Sequence, residues 1–262
     1  MKSTRLFQHS IVTAIALCLL SPIAGLPHGH MAASAETAET KFVLNLFRDK
    51  TLDECVQYMD QLRPRALTAE EKQILKADGF DLITKDTEIN DQALLNELYR
   101  ETQKVLEFHH RAGIVEYLLF KNSDPVLMTK AGAFIAISNR ALKIAKDDEA
   151  LSGIIAHELS HEYFALQYLQ ARNAHDSQKL RIIELMCDAL CTITMLKLQM
   201  NPDRYAGALT KIIRNSRASE QLNDGTGQMP SLQSRLHVIA EIRKQFSTQP
   251  LTSRNKQIGP RR

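Results

Sequence analysis

The sequence contains no tryptophan and only 6% aromatic residues, so there is little to stack on bases or sugar rings, which argues against a polysaccharide-binding or base-stacking surface. Cysteine is also scarce: four in 262 residues are too few for a disulfide scaffold. There is no internal repeat, and in particular no tetratricopeptide array. Charge of one sign is not in excess either. The formal charge is +3, but residues 1–35 hold Lys2 and Arg5 and no acid, which leaves 31 basic against 30 acidic residues beyond them. The visible basic excess sits in the last nine residues, at Arg254, Lys256, Arg261 and Arg262. A nucleic-acid partner, which calls for a concentrated basic surface, is not expected. What remains is an ordinary globular composition, 44% hydrophobic and 24% charged, enough for one or two packed cores.

Lys2 and Arg5 precede the apolar run Ile11–Leu20, which is followed by Pro22 and a small-residue stretch ending Ala33-Ser34-Ala35. That is the order of a secretory signal peptide, read here as residues 1–35. Cleavage nearer Ala24 is the alternative. Ile11–Leu20 is shorter than the roughly 20 residues that span a bilayer, and Leu17 before Cys18 is not the small residue that lipid attachment favours. The expectation is a periplasmic or secreted protein with no membrane span in the mature chain, leaving peripheral membrane association open. Of the three remaining cysteines, Cys187 and Cys191 lie four apart on an expected helix, where adjacent turns seldom give disulfide geometry. They read as small buried hydrophobes.

Periodicity predicts helices over Lys41–Leu62, from Thr68 to Gly79, and over Asn90–His110. Ile114–Phe120, Val126–Met128 and Ala133–Ile137 are short β-prone runs around the turn Asn122–Pro125 and Gly132, and are expected to pair as a small antiparallel sheet. Helix then returns from Asp147 to about Gln170, over Gln178–Met200 and Pro202–Asn215, and from Pro230 to about Phe246. The 216–229 stretch reads as a loop and residues 247–262 as a basic, disordered tail. The fold class is α+β, predominantly helical. The chain divides into a leader (1–35), an amino-terminal helical segment (36–89), a main domain (90–246) and the tail.

Chemistry concentrates in two helices. His157-Glu158-Leu159-Ser160-His161 is an HExxH pattern; at i and i+4 the imidazoles leave one helix face about 5–6 Å apart at Cβ, close enough to share a metal. Zinc takes imidazole nitrogen in tetrahedral sites, and Glu158 can accept a proton from a metal-bound water. The flanking residues are apolar, so these side chains are expected to be buried, where an unpartnered charge is costly. The helix Leu180–Leu196 is apolar or small almost throughout, yet carries Glu184 and Asp188 four apart. Two carboxylates on one buried stripe need a cation facing them. Glu184 is assigned as third ligand and Asp188 as acceptor from a ligand imidazole N–H; the alternative is a carboxylate pair bound to Arg181 or Arg235. A metzincin-type continuation would need Gly and His where Phe164 and Gln167 stand. His175 lies in a loop, and His109 and His110 end a helix, where imidazoles suit its negative pole. Two histidines and one glutamate leave a fourth position for water, the open arrangement of a catalytic zinc.

His157–His161 followed by Glu184-Leu185-Met186-Cys187-Asp188 resembles the HExxH and ExxxD signatures of metallopeptidase family forty-eight, the gluzincins of HtpX, Oma and BepA type. Gly132–Ile137, the acidic entry Asp147-Asp148-Glu149, and Met229-Pro230-Ser231 with Arg235-Leu236 are similar to further segments of that family. The resemblance covers about residues 90–246. Cys187 stands where the family usually has alanine, Met229 where it has histidine, and the His161-to-Glu184 separation is short. The resemblance implies a zincin-like zinc endopeptidase holding one Zn(2+) per chain through His157, His161 and Glu184. Glu158 would be the general base, and Arg235 either an oxyanion stabiliser or a contact to Glu184 or Asp188, with His237 as runner-up. Polypeptide substrates, such as exported or misfolded envelope proteins, would add as a strand along an edge at Ala133–Ile137. The competing classes are a non-catalytic chaperone or assembly module on the same scaffold, and a structural zinc protein.

Overall fold

The computed structural model describes residues 36–65, 67–77, 83–84, 86–130, 132–217 and 227–247. The expected leader, the Gly79 helix stop, most of the 216–229 loop and the tail beyond residue 247 lie outside them. The helices are α1 (Ala38–Phe47), α2 (Leu52–Leu62), α3 (Ala69–Ala77) and α4 (Gln92–Phe108), then, after the strands, α5 (Asn139–Ile144), α6 (Asp148–Ser160), α7 (Ala165–Asn173), α8 (Ser177–Lys197), α9 (Pro202–Asn215) and α10 (Leu232–Ser247). The strands are β1 (Glu116–Phe120), β2 (Leu127–Lys130) and β3 (Phe134–Ser138). The class is α+β with a helical majority, as expected.

Two helices that are apolar on every side form the centre, which is what burial on all faces requires. Every residue of α6 from Ala150 to Ser160 is buried, as is all of α8 from Ile182 to Met195. They pack on each other; α4 and α9 flank α6, while α1, α2 and α10 cover α8. Close approach is set by small groups. A Cβ on Gly153 would lie 2.5 Å from Cβ of Tyr205 in α9, and the Cys191 thiol donates to the Gly153 carbonyl at 3.0 Å. Cys55, Cys187 and Cys191 are free and buried, in line with the hydrophobic reading.

Several local expectations are corrected. Residues 41–62 form two helices: Asp49 adopts φ 62°, and Thr51 opens α2 with a reciprocal capping box to Glu54. The single helix expected over 147–170 is interrupted by a 3-10 turn, His161–Phe164, before α7 begins. The sheet is mixed: in the order β1-β3-β2, β3 pairs parallel with β1 and antiparallel with β2. Ser138 fixes this topology, its hydroxyl donating to the Asp124 carbonyl and accepting from the Val126 amide, so the β1–β2 link is held across the end of β3. Ala133–Ile137 therefore falls on the central strand and offers no edge. The 87–89 segment covers the outer side of β1. In this order β1 and β2 are the edge strands.

His109 ends its helix as expected, but not as a cation at the negative pole. It is the C-cap residue of α4, as its place at the helix end implied, but its ring lies buried beside Tyr163 Oη (2.9 Å) and Thr194 Oγ1 (3.3 Å). Burial, with the charges of Arg63 and Arg111, pushes its pKa down to about 3. The folded value lies below that of an unfolded histidine, about 6.5, so this contribution is complete above that pH and is lost as pH falls toward 3. Denaturant titrations between pH 6 and pH 4 should show stability falling by about 1.4 kcal/mol per pH unit from this residue. That component should be missing in His109→Gln.

Candidate metal centre

Asp147 caps α6 by accepting from the Ala150 amide, and Asp148 and Glu149 occupy its first turn, where acids suit the positive pole. The last turn carries His157, Glu158 and His161. One donor atom from each lies within 4.8 Å of the others, and the imidazole centroids are 5.0 Å apart. This largely buried His-Glu-His group could hold a metal ion.

Helix α8, across the α6 interface, brings Glu184 to the same point. Its Oε2 lies 3.5 Å from His157 Nε2 and its Oε1 3.6 Å from His161 Nε2. In a tetrahedral site with bonds of about 2.0–2.1 Å, neighbouring donor atoms stand about 3.3–3.4 Å apart, so the separations suit a shared ion. Charge suits it as well. Glu184 and Asp188 face one guanidinium, Arg235, so carboxylates outnumber the arginine there and a cation would complete the balance. Burial would raise the Glu184 pKa, but the neighbouring His161, the contact with His157 and Arg235 hold it down to about 2. For His157, burial opposes the charged form, yet contacts with Asp188 and Glu184 outweigh it and lift the value to about 9. The pocket favours positive charge where the two Nε2 atoms converge.

A second layer orients these groups. Asp188 Oδ1 lies 3.0 Å from His157 Nδ1, the place expected of it from its spacing. Its carboxylate also accepts from Tyr205 Oη and from Arg235 Nε and Nη2, the latter two at 2.7 Å. Burial works against that carboxylate's charge, but Arg235 keeps its pKa well below the usual range. Arg235 is thus the carboxylate contact, one of its two expected roles. Its side chain is buried and turned onto Asp188, and its aim does not support the oxyanion role. His237, two residues further along α10, is half-buried; among the described residues no hydrogen bond or ion pair joins it to this site. Arg181 pairs with Glu39 and not with the site carboxylates. His175 is exposed in its loop.

Three participants were not assigned from sequence. Tyr205 stands over His157, its hydroxyl 3.0 Å from Nδ1; the available hint was Gly153, a helix-interior glycine four residues before His157 that lets the ring approach. Arg111 pairs with Glu162, directly after His161, through Nε at 2.8 Å and Nη2 at 2.7 Å. Cys187 places its sulfur 3.5 Å from His161 Nδ1. Burial, reinforced by the nearby carboxylates, pushes its thiol pKa well up. Nothing in their spacing marks the last two.

Compared with known proteins, the chain matches no protein-family profile and no curated protein sequence.

Proposed function

We propose that the chain is a zinc-dependent endopeptidase of the zincin-like, gluzincin kind, in line with its resemblance to metallopeptidase family forty-eight. The observation that carries this reading is the Glu184 carboxylate bridging the Nε2 atoms of an HExxH pair, with Glu158 beside them. His157, His161 and Glu184 would hold one Zn(2+) per chain. Bound there, zinc supplies Lewis-acid polarisation of a peptide carbonyl and lowers the pKa of water. Glu158 takes the proton from the attacking water and returns it to the leaving amine. Asp188, held by Arg235 and Tyr205, accepts from His157 Nδ1–H and so puts the ring's lone pair on Nε2, which Arg235 Nη2 also approaches at 3.3 Å.

An extended polypeptide would add as a strand at the edge of this sheet near β2, which contacts α6 and so leads toward the site; main-chain hydrogen bonds there give affinity with limited sequence preference. Removal of exported or misfolded envelope proteins fits such a mode, with the leader placing the chain in the periplasm or outside the cell. No described helix is long and apolar enough to cross a membrane.

Metal analysis of purified wild type and Glu184→Ala tests the centre. About one equivalent of zinc is expected in the former and little in the latter. Equal zinc content in both would remove Glu184 from the ligand set. Zinc binding without cleavage of unfolded casein would favour a non-catalytic binding module.

A further inference from the structure

The two imidazoles of the HExxH pair are held by unlike partners. His157 Nδ1 faces a carboxylate, Asp188, that is itself fixed by a buried guanidinium and a tyrosine hydroxyl. Among the described residues, no carboxylate is within hydrogen-bonding distance of His161 Nδ1. Among the described residues the group within hydrogen-bonding distance of it is the Cys187 sulfur, at 3.5 Å. Cys187 lies on α8 between Glu184 and Asp188, so one short stretch of helix touches both imidazoles: Glu184 at the two Nε2 atoms, Asp188 at one Nδ1 and Cys187 at the other. A neutral imidazole can present Nε2 to a metal only if its proton sits on Nδ1, and an acceptor at Nδ1 is what fixes that tautomer.

Building on the proposed metal centre, we propose that Cys187 is a positioning residue that accepts the Nδ1–H of His161 and so holds this imidazole in its metal-binding tautomer. Sulfur is a weak, neutral acceptor. It secures His161 less firmly than Asp188 secures His157, and the His161 side chain is also the more exposed, at 18% against 8%. His161 is therefore the more labile of the two imidazoles.

The test measures Co(2+) affinity by chelator competition in wild type, Cys187→Ala and Cys187→Ser, with proton NMR of the Co(2+)-loaded proteins. Cys187→Ala should bind about 10-fold more weakly or worse, and the His161 Nδ1–H resonance should exchange rapidly with solvent. Cys187→Ser, whose hydroxyl also accepts, should recover affinity to within a few-fold and restore a slowly exchanging resonance. Equal affinity and an unchanged resonance in Cys187→Ala would overturn the assignment. So would a thiolate-to-cobalt charge-transfer band in wild type that disappears in Cys187→Ser, because the sulfur would then be a ligand. If Cys187→Ala fails to fold, the wild-type resonance and band together with the Cys187→Ser comparison still decide. No Co(2+) binding by folded wild type would instead sink the metal centre itself.

Discussion

Replacing Glu158 by Gln should reduce hydrolysis of unfolded casein by at least 10²–10⁴-fold, the range a positioned general base contributes, while about one equivalent of zinc stays bound. The substitution keeps the shape and removes the ability to take a proton. Metal retention is expected because Glu184, whose carboxylate approaches both Nε2 atoms, is left alone by the change. The informative result is the separation of the two readouts. Cleavage that survives in Glu158→Gln would rule out this carboxylate as the base. Loss of zinc together with activity would place Glu158 among the ligands.

Arg111→Met should lower stability by about 3–5 kcal/mol, the cost of leaving one partner of a buried ion pair behind. Thermal melting should show it as a drop of roughly 10 °C. The Arg111 and Glu162 side chains are each 5% exposed, and Oε1 of Glu162 is already buried without a hydrogen-bond partner. Arg111 also donates to the Pro64 carbonyl, past the end of α2. The Glu162 carboxyl presses on Gly132 so closely that a Cβ there would stand 1.8 Å from Glu162 Cδ. Gly132 has φ +60°, a conformation open to a residue with no Cβ. Stripped of Arg111, Glu162 has little room to turn to water, and the 3-10 turn beginning at His161 would shift. Pairing Arg111→Met with Glu162→Gln should recover part of the loss. A double variant as unstable as the single one would show that the cost came from lost packing and not from the stranded charge.

The residues of the candidate metal centre were legible because each breaks a local pattern: two imidazoles one helical turn apart in an apolar run, and two carboxylates in an otherwise apolar stretch of helix. Asp147 announced its helix start through the two acids that follow it, whereas the Thr51–Glu54 capping box inside 41–62 went unread. Sequence was silent where a side chain's meaning depends on a partner brought in by folding. Arg111 meets Glu162 across 51 positions, Tyr205 meets His157 across 48, and Cys187 looked like a small hydrophobe because the nitrogen it faces is 26 residues away. The sheet was misjudged for the same reason. Which side of β3 receives β2 is settled by Ser138 clamping a turn, a contact that alternation along a strand does not encode.

Helix α8 carries both Glu184 and Asp188, and its far flank is roofed by residues that precede the HExxH helix by a hundred positions. Val43 and Phe47 of α1 and Cys55 and Met59 of α2 are fully buried, and both helices pack on α8. Residues 36–62 are therefore masonry of the candidate metal centre and not an appendage to it. A fragment trimmed to 90–246 would keep every proposed ligand yet strip one wall from the rod that aims two of the site's three carboxylates.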